Sequence, residues 1–263
     1  VTEKIEVQHH HAHIVSCLVE NGESGPVIGV AMDGLGYGLD GTFWGGEWLV
    51  AYAAGFVRAA HIGPMPMPGG EAAIKQPWRM AAGMLLDFFG KDIFHEYMRS
   101  LAKLSDEDAE LFAASVAKKI NCPVTTGMGR LFDAVSAIVT GRNEVNYEGQ
   151  AAVELEALAR RNTDSRAYGY RIDEDGSEAA SWGRPPVDAS LFGRCLKVDF
   201  SDSIMGVIKD ADSGIPGSAI ARGFHSAAAS AIAETCARIR DVCGISTVAL
   251  SGGVFQNVLL LDM

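Results

Sequence analysis

Apolar residues recur along this chain with two periods, one helical and one extended. Ile14, Cys17 and Leu18 form a stripe at helical spacing and predict a helix over residues 7–20. Residues 27–32 are a short, wholly apolar run, best read as a buried strand. Residues 42–52 alternate and predict a second strand, paired with the first as a hairpin across the Gly-rich stretch 33–41. Residues 57–62 predict a third. Neither helix nor strand persists through Pro64, Pro66, Pro68, Gly69 and Gly70. A helix over 71–89 follows, with a break near Pro77. Ser105, with Asp108 three residues on, starts another helix. Residues 130–139 and 147–161 predict two more.

Residues 162–186 are polar and only weakly periodic, which predicts an exposed excursion or hairpin. A short helix over 201–208 precedes a long one over 218–242 that Gly244 ends. A strand at 247–250, a turn at 251–253 and a helix from Gln256 complete the chain. Short strands mixed with long helices indicate an α/β or α+β class.

Charge and cysteine usage narrow the function. The formal net charge of −11 opposes a phosphate backbone, so broad nucleic-acid binding is not expected. A small phosphate ligand stays open, because backbone N–H groups and metals override the global field locally. Cys17, Cys122, Cys195, Cys236 and Cys243 are odd in number and lack a CxxC pair, which favours a reducing compartment over a zinc ribbon or disulfide scaffold. No apolar run reaches the ~20 residues of a membrane span, and residues 1–8 do not read as a signal peptide. A soluble, cytoplasmic protein is expected, with no membrane and no nucleic-acid partner.

Four segments carry candidate chemistry. In Gln8-His9-His10-His11-Ala12-His13, His9 and His13 lie four apart, which on a helix puts both imidazoles on one face. That spacing suits Zn or Fe. It is favoured over a tag remnant, because the run flows straight into an apolar-periodic helix, and over a polar face with incidental histidines. Two histidines need a carboxylate, and Asp33 at the end of the 27–32 run supplies one. Gly34 and Gly36 after it leave the backbone free to approach a ligand, though an ordinary Gly-rich turn fits equally. In Gly129-Arg130-Leu131-Phe132-Asp133, the aspartate is either a helix-dipole partner or a ligand for a ribose hydroxyl. In Ser251-Gly252-Gly253-Val254-Phe255-Gln256-Asn257, a Gly-Gly turn at a helix start can present N–H groups to a nucleotide. Pro68-Gly69-Gly70, Pro77-Trp78-Arg79 and Tyr147-Glu148-Gly149-Gln150 are weaker signals by themselves.

Taken together, VQHHHAHI, GVAMDGLGYGLDGTFWGGE, MPGGEAAIKQPWRMA, GRLFDAV, YEGQAAVELE and SGGVFQN resemble, in order and spacing, the C-terminal domain of the HypF family of hydrogenase maturation carbamoyltransferases. The set covers nearly the whole chain. It is more distantly similar to antibiotic and nodulation O-carbamoyltransferases and to tRNA threonylcarbamoyl transferases. The resemblance implies an α/β fold of the actin/Hsp70/sugar-kinase (ribonuclease H-like) type. It implies two lobes, residues 1–124 and 125–263, truncated at both ends. It also implies a divalent metal on His9, His13 and Asp33, with the fourth family ligand in a segment beyond Met263. Gly34, Gly36, Gly129, Asp133, Gly252, Gly253 and Asn257 are expected to hold the nucleotide of carbamoyl adenylate, itself made with ATP. The carbamoyl group would pass to the C-terminal cysteine of a HypE-like acceptor, in cyanide-ligand synthesis for nickel–iron hydrogenases. The implied nucleophile belongs to the partner, which leaves the five cysteines structural. Thr126-Gly127-Met128 departs from the family's two serines and a small residue. The competing readings are O-carbamoyl transfer to a small-molecule hydroxyl and a non-enzymatic, nucleotide-gated binding module.

Overall fold

The first helix starts where a glutamine side chain can cap it. In the computed structural model, which describes residues 6–163 and 166–263, α1 spans His9–Glu20, and the His11 N–H donates to Gln8 Oε1 at 2.9 Å. The following strand β1 (Val27–Tyr37) runs on past the apolar segment into the Gly-rich one. The expected turn over 33–41 is therefore mostly strand, interrupted by a register shift between Met32 and Gly36. Small residues let the backbone stay extended there, and only positions 38–42 turn.

Strand β2 (Phe43–Tyr52) pairs antiparallel with β1, and β3 (Gly55–Ile62) pairs antiparallel with β2. The Pro-rich loop then contains a two-residue strand, β4 (Met65–Pro66). Pro77 splits the next helical stretch into α2 (Glu71–Lys75) and α3 (Trp78–Phe89). Helix α4 (Lys91–Leu101) follows and was not expected. At α5 (Asp106–Ala117) Ser105 caps as its spacing to Asp108 suggests, accepting from the Asp108 N–H at 3.1 Å. After β5 (Val124–Thr125) come α6 (Met128–Thr140) and α7 (Gln150–Ala159).

The polar 162–186 stretch is mostly exposed or half-buried, as expected of an excursion or hairpin, but its strands join the main sheet and do not pair with each other; residues 164–165 of it lie outside the described residues. Strand β6 (Arg171–Glu178) pairs antiparallel with β8 (Arg194–Asp199), while β7 (Ser181–Gly183) pairs with β3. Helices α8 (Ser201–Asp212) and α9 (Gly217–Cys243) follow, and left-handed Gly244 ends α9 as expected. Strand β9 (Val248–Ser251) leads through a 3-10 turn (Gly253–Gln256) into α10 (Val258–Leu261).

Read across, the main sheet runs β9-β1-β2-β3-β8-β6, parallel at β9/β1 and β3/β8 and antiparallel elsewhere. Alternation along β1 divides its side chains between two layers. Ile28, Val30 and Met32 join the large core beneath α3, α6 and α9, while Val27 and Ala31 join Ile14 and Leu18 of α1 on the other face. This arrangement brings the N-terminus of α1, the second half of β1, the start of α6 and the turn after β9 to one end of the sheet.

Candidate active site

The histidine run divides by helical periodicity into a buried pair and a partly exposed pair. His10 and His11 are fully buried. His11 lies between Phe56 and Trp182 and donates to the Tyr52 carbonyl at 2.7 Å. His10 packs toward Trp44 and against His9, and burial pulls its pKa down to about 4, so its ring is neutral. Gln8 Nε2 reaches both His10 Nδ1 and the Tyr37 carbonyl, each at 3.2 Å, which ties the start of α1 to the end of β1.

His9 and His13 face the other way, one turn apart, with ring centroids separated by 4.8 Å. Asp33 Oδ2 lies 3.1 Å from His9 Nε2 and 3.4 Å from His13 Nε2. One ligand atom from each of the three residues falls within 4.8 Å of the other two. Ligands bound at about 2 Å from a common ion are spaced in this way, and two imidazoles with one carboxylate form a donor set suited to Zn or Fe. Burial works against ionisation of Asp33, yet hydrogen bonds from His13, His9 and the Gly34 N–H hold its carboxyl far below the usual carboxylate range. The bond to Asp33 raises His13 in turn.

The other carboxylate oxygen points toward a second feature. Asp33 Oδ1 accepts from the Gly34 N–H at 2.9 Å and from the Gly253 N–H at 3.4 Å. Both glycines line a cavity of about 640 Å³ together with Asp33, Gly129, Arg130, Asp133, Glu148, Glu156 and Asn257. That volume suits a small-molecule ligand. Gly252 lies just behind the wall. At φ +104°, with an added Cβ only 2.2 Å from the Met32 carbonyl oxygen, this position accepts no side chain.

Asp133 lies in the second turn of α6, which sets aside the helix-dipole reading. Its Oδ2 is 2.8 Å from Arg130 Nη2, and both side chains are about 3% exposed. Arg130 Nε and Nη1 and Asp133 Oδ2 nevertheless lack hydrogen bonds of good geometry. Burial, opposed by Arg130 and reinforced by Glu148, pushes the Asp133 carboxyl up to about 6. Orphaned buried polar atoms on a cavity wall suit a ligand rich in hydroxyl and phosphate groups.

Seven of the expected residues therefore lie at Asp33 or in the cavity it borders: His9 and His13 meet its carboxylate, and Asp33, Gly34, Gly129, Asp133 and Gly253 line the cavity. Asn257 lines the cavity too, but both ends of its side chain are engaged elsewhere, with Nδ2 at His225 and Oδ1 at the Leu260 N–H. Gly36 sits apart from the cavity lining. An added Cβ there would meet His10 Cε1 at 2.5 Å and His9 Cδ2 at 2.6 Å, so this glycine makes room for the histidine rings.

Glu156 and the roles of Gln8 and His10 went unseen in the sequence. Glutamine is not a favoured N-cap, and Glu156 lies within an otherwise ordinary amphipathic helix. Thr126, at the departure from the family pattern, turns its hydroxyl to the fully buried Glu47, which also pairs with Arg58 at 2.7 Å. Pro77-Trp78-Arg79 is packing: Trp78 lies against Phe112, and Arg79 covers both rings.

The family model for "Carbamoyltransferase, Kae1-like Domain, second subdomain" matches residues 29–263. The chain belongs to the HypF carbamoyltransferase family. It is 36% identical over 266 residues to a carbamoyltransferase HypF homolog of Cupriavidus necator, covering 97% of this chain and 61% of that protein. It is 32% identical to the carbamoyltransferase HypF of a Synechocystis strain, covering 97% of this chain and 32% of that protein. The chain thus spans only part of the HypF proteins it matches. A crystal structure of full-length HypF in a phosphate- and nucleotide-bound form superposes with a TM-score of 0.84 at 37% identity, over 98% of this chain and 37% of that one. HypF of T. kodakarensis gives 0.80 at 29% identity, over 99% of this chain and 32% of that one. These matches bear out the expected α/β fold, a mixed sheet with helices of the actin and ribonuclease H type. Among the described residues, no helix is long and apolar enough to cross a membrane.

Proposed function

We propose that this domain transfers a carbamoyl group from carbamoyl adenylate to the C-terminal cysteine thiolate of a HypE-like acceptor, the step that leads to cyanide ligands of nickel–iron hydrogenases. The observation that carries this reading is the double engagement of Asp33. One oxygen faces His9 and His13, and the other faces the cavity through the Gly34 and Gly253 N–H groups. An AMP moiety in the cavity would present its phosphate beside the three metal-ligand candidates.

His9, His13 and Asp33 would hold the ion. A divalent cation there supplies positive charge for the departing phosphate and the carbonyl oxygen. The chain's own residues do the rest. Asp133 and Glu148 offer acceptors to ribose hydroxyls, and the Gly253 turn offers N–H groups to the phosphate. The incoming thiolate bonds to the carbamoyl carbon, the bond from that carbon to the phosphate oxygen breaks, and AMP leaves with its electron pair. No proton is needed on so good a leaving group. Two of the chain's own thiols fit the nucleophile poorly: burial pushes Cys195 up to about 12 and Cys236 up to about 11, so both stay protonated at neutral pH. Free thiols suit a reducing, cytoplasmic setting.

The test supplies carbamoyl adenylate and HypE to the protein and to His9→Ala, and follows carbamoylation of the HypE cysteine. Loss of metal and of transfer in the variant is expected. A normal rate in His9→Ala, or transfer by the wild type to hydroxylated small molecules in place of HypE, would refute the proposal.

A further inference from the structure

The cavity wall formed by residues 253–258 is held from behind by a histidine that the proposed reaction does not use. His225, on α9, is fully buried. Its Nδ1 lies 2.8 Å from the Ala221 carbonyl oxygen, which can only accept, so Nδ1 carries the proton. Nε2 is then a bare acceptor, and Asn257 Nδ2 donates to it at 2.9 Å. That orientation of the amide leaves Oδ1 to accept the Leu260 N–H at 2.9 Å, capping α10. Two backbone groups thus determine both the tautomer of the histidine and the direction of the amide. The same ring stands edge-on to Phe132, another residue lining the cavity, at 5.1 Å between centroids.

We propose that His225 is a positioning residue, which through Asn257 fixes the 252–258 segment where it faces the cavity and Asp33. Asn257, expected from its motif to touch the nucleotide, lines the cavity and at the same time ties this segment to α9. His225 has no exposed surface and acts through the wall in front of it. Gly253, in that wall, donates to Asp33, so a loosened segment misplaces a ligand wall and a carboxylate partner together. The consequence for nucleotide binding rests on the reading under Proposed function; the mechanical claim does not.

The experiment follows amide hydrogen exchange of residues 253–261, together with AMP affinity, in the purified protein. The variants are His225→Leu, His225→Gln, Asn257→Ala and the double variant His225→Leu/Asn257→Ala. Glutamine retains an acceptor near the position of Nε2, whereas leucine does not. Exchange in the segment is expected to rise about tenfold in His225→Leu and in Asn257→Ala, to rise no further in the double variant, and to return close to wild type in His225→Gln. AMP affinity is expected to fall and recover in the same order. If the segment exchanges at the wild-type rate in Asn257→Ala, or equally fast in the leucine and glutamine variants, His225 does not position it and the proposal is overturned. If wild-type protein fails to bind AMP while the exchange pattern holds, the nucleotide reading fails and the positioning role stands.

Discussion

Gly36 bears on the proposed metal site through the room it leaves for the rings of His9 and His10. The ring of His9 has His10 on one side and His13 on the other, and His10 backs onto Trp44. The rings therefore have little room to retreat from a methyl group at position 36. Gly36→Ala should displace His9, lower zinc affinity about tenfold, and cost about 1–3 kcal/mol through overpacking. Zinc titration against a chromogenic chelator measures the first effect and denaturant unfolding the second; unchanged zinc affinity would count against the geometry. The histidine spacing was legible in the sequence because the helical period determines which side chains share a face, whereas Asp33, expected at a strand end, lies inside β1 at its register shift. The duty of Gly36 was not legible, since it depends on two segments meeting. Asp133 is a similar case: the start of α6 at Met128 puts it in the second turn, beyond the reach of the helix dipole, and the sequence alone did not give that start.

Elements whose stability is local were the readable ones. The Ser105 cap, the Pro77 break and the Gly244 stop all act within a few residues, and each stands where expected. Strand β8 escaped notice because it is fastened by partners far away in the chain, β3 and β6. Strand β6 lies at the end of the sheet path and reads as a polar loop, which suits an edge strand made of charged residues. Strands β2 and β3 are also joined by a buried ion pair that no periodicity reveals. Arg58 Nε meets Glu47 Oε2, the guanidinium lies over Trp44, and Glu47 is fully buried. Arg58→Met should cost about 3–5 kcal/mol by leaving the Glu47 charge uncompensated. Adding Glu47→Met should recover much of that loss. Urea unfolding of both single variants and the double variant checks this, and a double variant weaker than Arg58→Met would refute it.

The burial of His225 on α9 sets the sign of a pH dependence expected of the fold's stability. Burial holds His225 below its ordinary value of 6.5, against the Ala221 carbonyl and Glu156 and with Arg222 and Arg160. The folded chain therefore keeps the ring neutral, while the unfolded chain takes up a proton below about pH 6.5. The stability that His225 contributes is whole above that pH and is lost as the pH falls from it toward the depressed folded value. Glutamine does not titrate. The destabilisation caused by His225→Gln, about 1 kcal/mol for the lost bond to Ala221, should be largest at pH 8 and should narrow toward pH 5. Unfolding free energies of both proteins across that range decide the matter, and a gap that widens on acidification would contradict it.

At the scale of the whole molecule, the two halves of the candidate site share a carboxylate. The mixture of short strands and long helices narrowed the class to α/β or α+β, and the family resemblance pointed to α/β. That β9 returns beside β1, and so delivers Gly253 to Asp33, could not, because only the assembled sheet sets that neighbour. The consequence is thermodynamic. A cation held by His9, His13 and Asp33 would orient the carboxylate whose Oδ1 receives the Gly34 and Gly253 N–H groups, and those glycines stand in the cavity wall. On the proposed function, each ligand would then prepare the site for the other. Linkage requires the effect to be reciprocal, and couplings of this kind are typically about 1–3 kcal/mol. Zinc should tighten AMP binding about tenfold, and AMP should tighten zinc binding by the same factor. Calorimetric titration of each ligand with and without the other measures both arms. In Asp33→Asn the coupling should vanish along with most of the zinc affinity, while AMP alone still binds. Equal AMP affinities with and without zinc in the wild type would mean that the cavity and the histidine pair work as separate sites, and that the shared carboxylate joins them in space but not in energy.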